Sequence, residues 1–421
     1  MQTRKHNRRA YVAVLVALSL VVVVSFVAIA VDGGVLLDDS RRVQSAADAA
    51  ALAAAEDLYL HYQSGQGLDS GGTAVAAAQA VAAANGFTDG DGHSTVAVNI
   101  PPLSGPFTGQ AGYAEVIITY KQPRYFSGIF GHGDLPVRAR AVGQGRWVPF
   151  KNGILVLNPT APGALTNTGG GKMTVVGVPT IVDSNAPDAA TATGGGTVTS
   201  PEFDITGTPG VSGSGTWNGA VYSGQQPTPD PLAYLPEPDP STMVVQSKNQ
   251  THFSGNTATS YTIYPGVYKG GITVSGQATL NMAPGIYYMD GGGFSFVGQG
   301  NLNASGVMIV NAPKQNTDVI NVNGNGLINF SPPTSGIYKG ISLWQVRSAT
   351  NNIYLTGNGT SSMSGTFYAQ HGILNVTGNG AQDVIGSQYI SDKVVLGGNG
   401  GFAVNWNTDQ TARTRVIGLV E

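Results

Sequence analysis

The chain contains no cysteine, so neither disulfides nor thiolate metal ligands are open to it in any compartment. Charge is scarce as well: Asp, Glu, Lys and Arg make up 11% of the residues, against about a quarter in ordinary globular proteins. The net charge is -3 with no basic block beyond the first nine residues, which removes the electrostatic basis for nucleic-acid binding. His6, His61, His93, His132, His252 and His371 are scattered without ligand spacing. A G-x-S-x-G nucleophile elbow is missing. The stretch "TGGGKMT" (Thr168 to Thr174) looks like the end of a P-loop, but Met173 stands where a magnesium-binding Ser or Thr should be, and Thr166 replaces the leading glycine. No catalytic, cofactor-binding or metal-binding residue is therefore assigned, and the chain is expected to be a non-enzyme without a cofactor.

What is abundant is glycine, 60 of 421 residues, about twice the usual share. Glycine turns corners and lets backbones approach closely, so a mainly β, turn-dense architecture is expected. Ahead of it, residues 10–31 read "AYVAVLVALSLVVVVSFVAIAV", a run of 22 without a charge. As a helix this run is about 33 Å long, enough to cross a bilayer. Arg4, Lys5, Arg8 and Arg9 precede it and Asp32, Asp38 and Asp39 follow, so the charge bias puts a tail (1–9) in the cytoplasm and the rest outside. A cleaved secretory signal ending at "AIA" (Ala28 to Ala30) is the competing reading. A retained single-pass inner-membrane anchor over 10–31 is the expectation.

Residues 35–65 are rich in helix formers, with eight alanines among the ten residues from Ala46 to Ala55. So smooth a helix packs either on its own domain, for instance on the alanine-rich stretch 73–86, or on a helix of another protein. Alternating runs at Thr95 to Ile100, Ala114 to Tyr120 and Leu135 to Gln144 predict strands, giving a small α+β unit over 32–148. In order and spacing, the membrane run ending in "AVDGG", then "RRVQSAADAAALAAA", "AAANG" and "VIITYKQPRYFSGIFGHGDLPVRARAVG" resemble the TadE/TadG-like region of tight-adherence (Flp) pilus-assembly proteins, over residues 8–145. That resemblance implies a bitopic envelope protein tied to pilus assembly or anchoring, with the membrane and other pilus-assembly or envelope proteins as partners. The prepilin-peptidase glycine and glutamate of TadE-type pseudopilins and the D-x-S-x-S of some TadG-like proteins do not occur here.

From residue 149 onward short apolar alternations end in G-N-G or a near variant, with first glycines at Gly276, Gly298, Gly324, Gly357, Gly378 and Gly398, 20 to 33 residues apart. One strand and one turn per unit predict a right-handed parallel β-helix-like solenoid of about 10 coils, on the order of 50 Å long. Asn325, Asn358, Asn379 and Asn399 are expected to stack at one corner, tolerating left-handed geometry and bonding amide to amide. Weaker echoes fill 154–225, and a Pro-rich segment (225–241) interrupts the pattern as an extended excursion or linker.

Parallel β-helices can also be polysaccharide-active enzymes. Between Pro265 and Asn405 the only acids are Asp290, Asp318, Asp383 and Asp392, none close to another in sequence. A groove gathering three carboxylates, or a carboxylate with Lys339 or Arg347, would favour that alternative. Exposed, aligned Tyr261, Tyr264, Tyr268, Tyr287 and Tyr288 would instead favour a carbohydrate-binding adhesin, with polysaccharide as partner. A half-buried tyrosine ladder is the plainer expectation.

Overall fold

The computed structural model describes residues 8–129, 132–248, 251–358, 361–380 and 383–421. Arg4, Lys5 and His6 of the expected tail and Gly359 of one glycine turn lie outside the described residues. The chain divides into two units, residues 1–148 with 415–421, and residues 149–414.

In the first unit the apolar run and the alanine-rich segment, separate in the sequence reading, form a single helix α1 (Arg8–Leu60). It passes through Gly33 and Gly34 without a break. Each glycine costs about 1 kcal/mol relative to alanine, but propagating a formed helix is cheap compared with starting a second one. Over 11–31 the side chains are exposed, with Ala28 and Ser25 the exceptions. Further along, Ala46, Ala47, Ala50, Ala51 and Ala54 are buried. They pack on α2 (Thr73–Ala84), through its buried Ala74, Ala78 and Ala82, and on a sheet. That sheet is β1 (Ser94–Asn99), β2 (Tyr113–Gln122) and β3 (Leu135–Pro149), antiparallel with Val96 opposite Ile118 and Ile118 opposite Ala139.

The alanines are needed because helix backbone rests directly on strand backbone: a Cβ at Gly145 would sit 1.7 Å from the Ala55 carbonyl oxygen. The alanine surface is thus spent inside its own unit. Residues 415–421 return to this sheet beside β3. Arg140 on β3 donates to the buried Glu115 carboxylate at 2.7 Å and to the Glu421 carboxylate. Burial alone would raise the Glu115 carboxyl, but donors from Ser104, Arg140, Asn99 and the Leu103 N–H outweigh it and hold it down to about 2.

The second unit is a β-solenoid of about 11 turns, every strand pair parallel. Each coil contributes three short strands to three faces. In one coil these are Gly266–Lys269, Ile272–Val274 and Thr279–Met282; in the next, Gly285–Asp290, Phe294–Phe296 and Leu302–Ala304, in register with Ile272 beside Phe294 and Leu280 beside Leu302. Most three-residue strands bury their first and third side chains and turn the second outward, so apolar columns such as Ile272, Phe294, Ile320, Ile353, Leu374 and Val394 fill the interior. The long intervals between glycine turns loop out at 313–319 and 331–340 without disturbing the stack.

Coil order does not follow chain order. The first coil, Ile154–Val156, Leu165–Asn167 and Lys172–Val176, is stacked on the last, with Leu155 beside Ile390, Leu165 beside Val394 and Met173 beside Phe402. From this seam the early coils run out to one end at Thr216–Ser223. The chain then crosses to the opposite end and builds coils from His252 back towards the seam. The chain therefore enters and leaves the stack at the same level.

Candidate functional site

Six prolines between Pro227 and Pro240 keep the crossing segment extended, since each fixes φ and withdraws a backbone donor. With no ladder of its own, the segment is held by solenoid side chains. The Thr228 N–H donates to Asp183 at 2.9 Å, and the Tyr368 hydroxyl donates to Asp230 at 2.7 Å. Arg347 is the main clasp: it donates to the carbonyls of Leu232 and Leu235 at 2.8 and 2.9 Å and to the Tyr368 hydroxyl at 3.0 Å, with its guanidinium 4.9 Å from the Trp344 ring. The Tyr338 hydroxyl donates to the Pro236 carbonyl, Leu232 and Leu235 are buried, and Val245 bridges to Val267. The proline segment is consequently a strap lying along the coils.

Between strap and coils lies a cavity of about 370 Å³ lined by Asp183, Asp230, Asp392, His371, Pro159 and Pro227 among others, with no Lys or Arg among the described residues of its wall. Asp183 is 5% exposed. Burial pushes its carboxyl up to about 6, and the Thr228 N–H offsets that only in part. Asp392 accepts from the Asn158 amide at 3.0 Å. A carboxyl titrating near 6 can give or take a proton at neutral pH, and an acceptor-rich wall suits hydroxyl donors. The three carboxylates come from an early coil, the strap and the last coil, so no local spacing could reveal them; of the acids weighed in the sequence, only Asp392 is here.

The other acids do turn or surface work. Asp290 pairs with Lys314 at 2.7 Å, Asp318 accepts the N–H groups of Lys314 and Gln315, and the buried Asp383 accepts from the Ser361 N–H. Lys339 lies 4.0 Å from Asp409. Among the described residues no group of three or more His, Asp or Glu is arranged to hold a metal ion.

The glycine turns are corners, as the strand that follows each one requires. The corner row runs from Asn256 through Gln277, Gln299, Asn325, Asn358 and Asn379 to Asn399, and its backbone continues the ladder: the Asn325 N–H donates to the Gly298 carbonyl and the Asn379 N–H to the Gly357 carbonyl. Two details differ from expectation. Among the described residues Gln66 is the one non-glycine at positive φ, so these asparagines are not left-handed. Among the described residues these asparagines make no amide-to-amide bond with one another; the Asn358 amide donates to the Gly324 carbonyl, while Asn325, Asn379 and Asn399 are exposed. Glycine is required here by the close approach of coils, as expected: a Cβ at Gly326 would meet the Gly300 oxygen at 1.9 Å, and Gly276 and Gly398 also adopt positive φ. The P-loop look-alike is another such corner, with Lys172 starting a strand where a phosphate cradle would need a helix. An amide pair does form elsewhere, on an outward face, where Asn303 donates to Asn281 at 2.9 Å.

The tyrosines do not make an exposed row. Tyr268 and Tyr287 are fully buried and stacked 5.8 Å apart, each hydroxyl donating to a carbonyl four residues earlier; Tyr288 is 9% exposed, and Tyr264 alone of the five is largely open.

The α1 helix is long and apolar enough to cross a membrane. Residues 11–57, nearly the whole of it, match the family described as "Putative Flp pilus-assembly TadE/G-like". No match was found among curated proteins or among solved structures. The chain thus carries a TadE/G-like segment of the Flp pilus-assembly kind at residues 11–57, joined to a β-solenoid.

Proposed function

We propose that this is an exported, inner-membrane-anchored structural protein of tight-adherence (Flp) pilus assembly or surface attachment, with its N-terminus cytoplasmic and its solenoid a non-catalytic ectodomain. The reading rests on one observation above all: the TadE/G-like match covers the same helix that carries the uncharged run, with basic residues before it and acids after it. A filled interior and a strap clasped by Arg347 support a mechanical role, since both use side chains for shape. Fractionation with and without detergent, followed by N-terminal sequencing of the mature protein, tests the anchor; a soluble product beginning after Ala30 would refute it. The structural role is tested by attachment of cells lacking the protein, complemented with the wild type or with Asp183, Asp230 and Asp392 all changed to Asn. Restored attachment by the triple variant is the expected result.

A second reading, a polysaccharide-active solenoid, is favoured by the three carboxylates around one cavity. Release of new chain ends from acidic or neutral polysaccharides by the purified protein, abolished in the same triple variant, would establish it in place of the first.

A further inference from the structure

Helix α1 has a covered stripe where the apolar run ends. Ala28 is 2% exposed although Val27 and Ile29 on either side are 52% and 63% exposed, and Ser25 and Asp32 are half-buried on the same face. At 1.5 Å per residue Ala28 lies about 6 Å from Asp32, back towards the lipid-length run. The Asp32 carboxylate accepts the N–H groups of Phe126 at 3.1 Å and Ser127 at 2.7 Å, one on each oxygen, and the short turn Ser127–Ile129 packs on α1. This acid therefore has its charge met by backbone donors at the edge of the run. Beside it Tyr125 and Phe126 stand 63% and 49% exposed, two adjacent aromatics on the surface. Arg124 uses its Nε on the Gly133 carbonyl, and Lys121 is exposed.

We propose that the segment Arg124–Ser127 is a second membrane contact, seated in the headgroup region on the non-cytoplasmic side. The inference rests on α1 spanning the bilayer, and it adds which other part of the chain meets lipid. Aromatic rings with polar neighbours favour the membrane–water boundary, and cations there meet lipid phosphates. Continuity supplies the placement: the segment is tied to Asp32, the first charge after the apolar run, and the covered stripe reaches a helical turn into that run. Gly33 and Gly34 give the contact a purpose. A Cβ at either would meet nothing within 4 Å, so packing does not demand glycine there; the pair weakens the helix beside the loop clamp on Asp32.

The absence of native cysteine makes the test direct. A nitroxide is attached to Phe126→Cys or to Val21→Cys in the full chain, reconstituted in phosphatidylethanolamine–phosphatidylglycerol vesicles. Collision with oxygen is compared with collision with a water-soluble nickel chelate, taking the free label in buffer as reference. The expected oxygen-to-nickel ratio at 126 is severalfold above the free label and below that at 21. A ratio at 126 equal to the free label, with 21 lipid-like, overturns the proposal and leaves the span standing. A water-like ratio at 21 removes the span and the proposal with it. Unchanged circular dichroism of both labelled chains confirms that each has folded.

Discussion

Asp183 offers a measurement of what the strap costs the solenoid. Its carboxyl moves from 3.8 to about 6 on folding because burial penalises the ionised form. For a raised acid the sign is fixed: below about 4 both states are protonated and nothing is lost, whereas above about 6 the folded state carries a buried charge that the unfolded chain holds in water. The penalty at neutral pH is at most about 3 kcal/mol, at 1.36 kcal/mol per tenfold change in proton affinity. Asp183→Asn keeps the shape and an oxygen that can accept the Thr228 N–H, and it deletes the charge. The variant should match wild type near pH 4 and exceed it at pH 7.5 by up to that amount, the gap opening between pH 4 and pH 6. The assay is urea unfolding of the full chain in detergent at stepped pH, followed by tryptophan fluorescence, to which Trp344 in the solenoid core contributes. A gap independent of pH, or a variant weaker at pH 7.5, would refute the reasoning. The second outcome would mean that the carboxylate has a favourable partner in the groove.

Coil spacing predicts that Gly326→Ala destabilises the solenoid by about 1 to 3 kcal/mol, since the new methyl overlaps the Gly300 oxygen and parts two coils. Asn379→Ala at the exposed corner should stay within about 0.5 kcal/mol by the same unfolding assay. Arg347→Ala removes the guanidinium from the Leu232 and Leu235 carbonyls, leaving Leu232 only the Leu235 N–H, so limited proteolysis should cut within 224–248 faster than in wild type while the coils resist. Glu115→Gln removes a carboxylate held at about 2, and the sign is opposite to that of Asp183. Stability from Glu115 is full above about pH 4.5 and is lost as pH falls towards 2, so at pH 7 the variant should be weaker by about 3 kcal/mol and should show less acid dependence in that window.

How much of this was legible in the residues follows from the range over which each force acts. An uncharged run of membrane length, an alanine-rich helix and a strand-turn unit repeated every 20 to 33 residues are local patterns, and the helix, the coils and the inward columns such as Ile272 and Phe294 were readable from them. The corner glycines were recognised together with the close backbone approach that requires them, but the particular contact, Gly326 on Gly300, was not, because it lies between coils. The asparagine row was placed correctly and its hydrogen bonding was not. Stacking order, the seam that sets Leu155 beside Ile390, the return of the proline segment as a strap and the meeting of Asp183, Asp230 and Asp392 all depend on strands that pair without regard to chain order. Parallel β pairing is satisfied by any neighbour with matching backbone and apolar columns. A periodic sequence therefore specifies that coils will stack, and only the folded packing selects which coil lies on which.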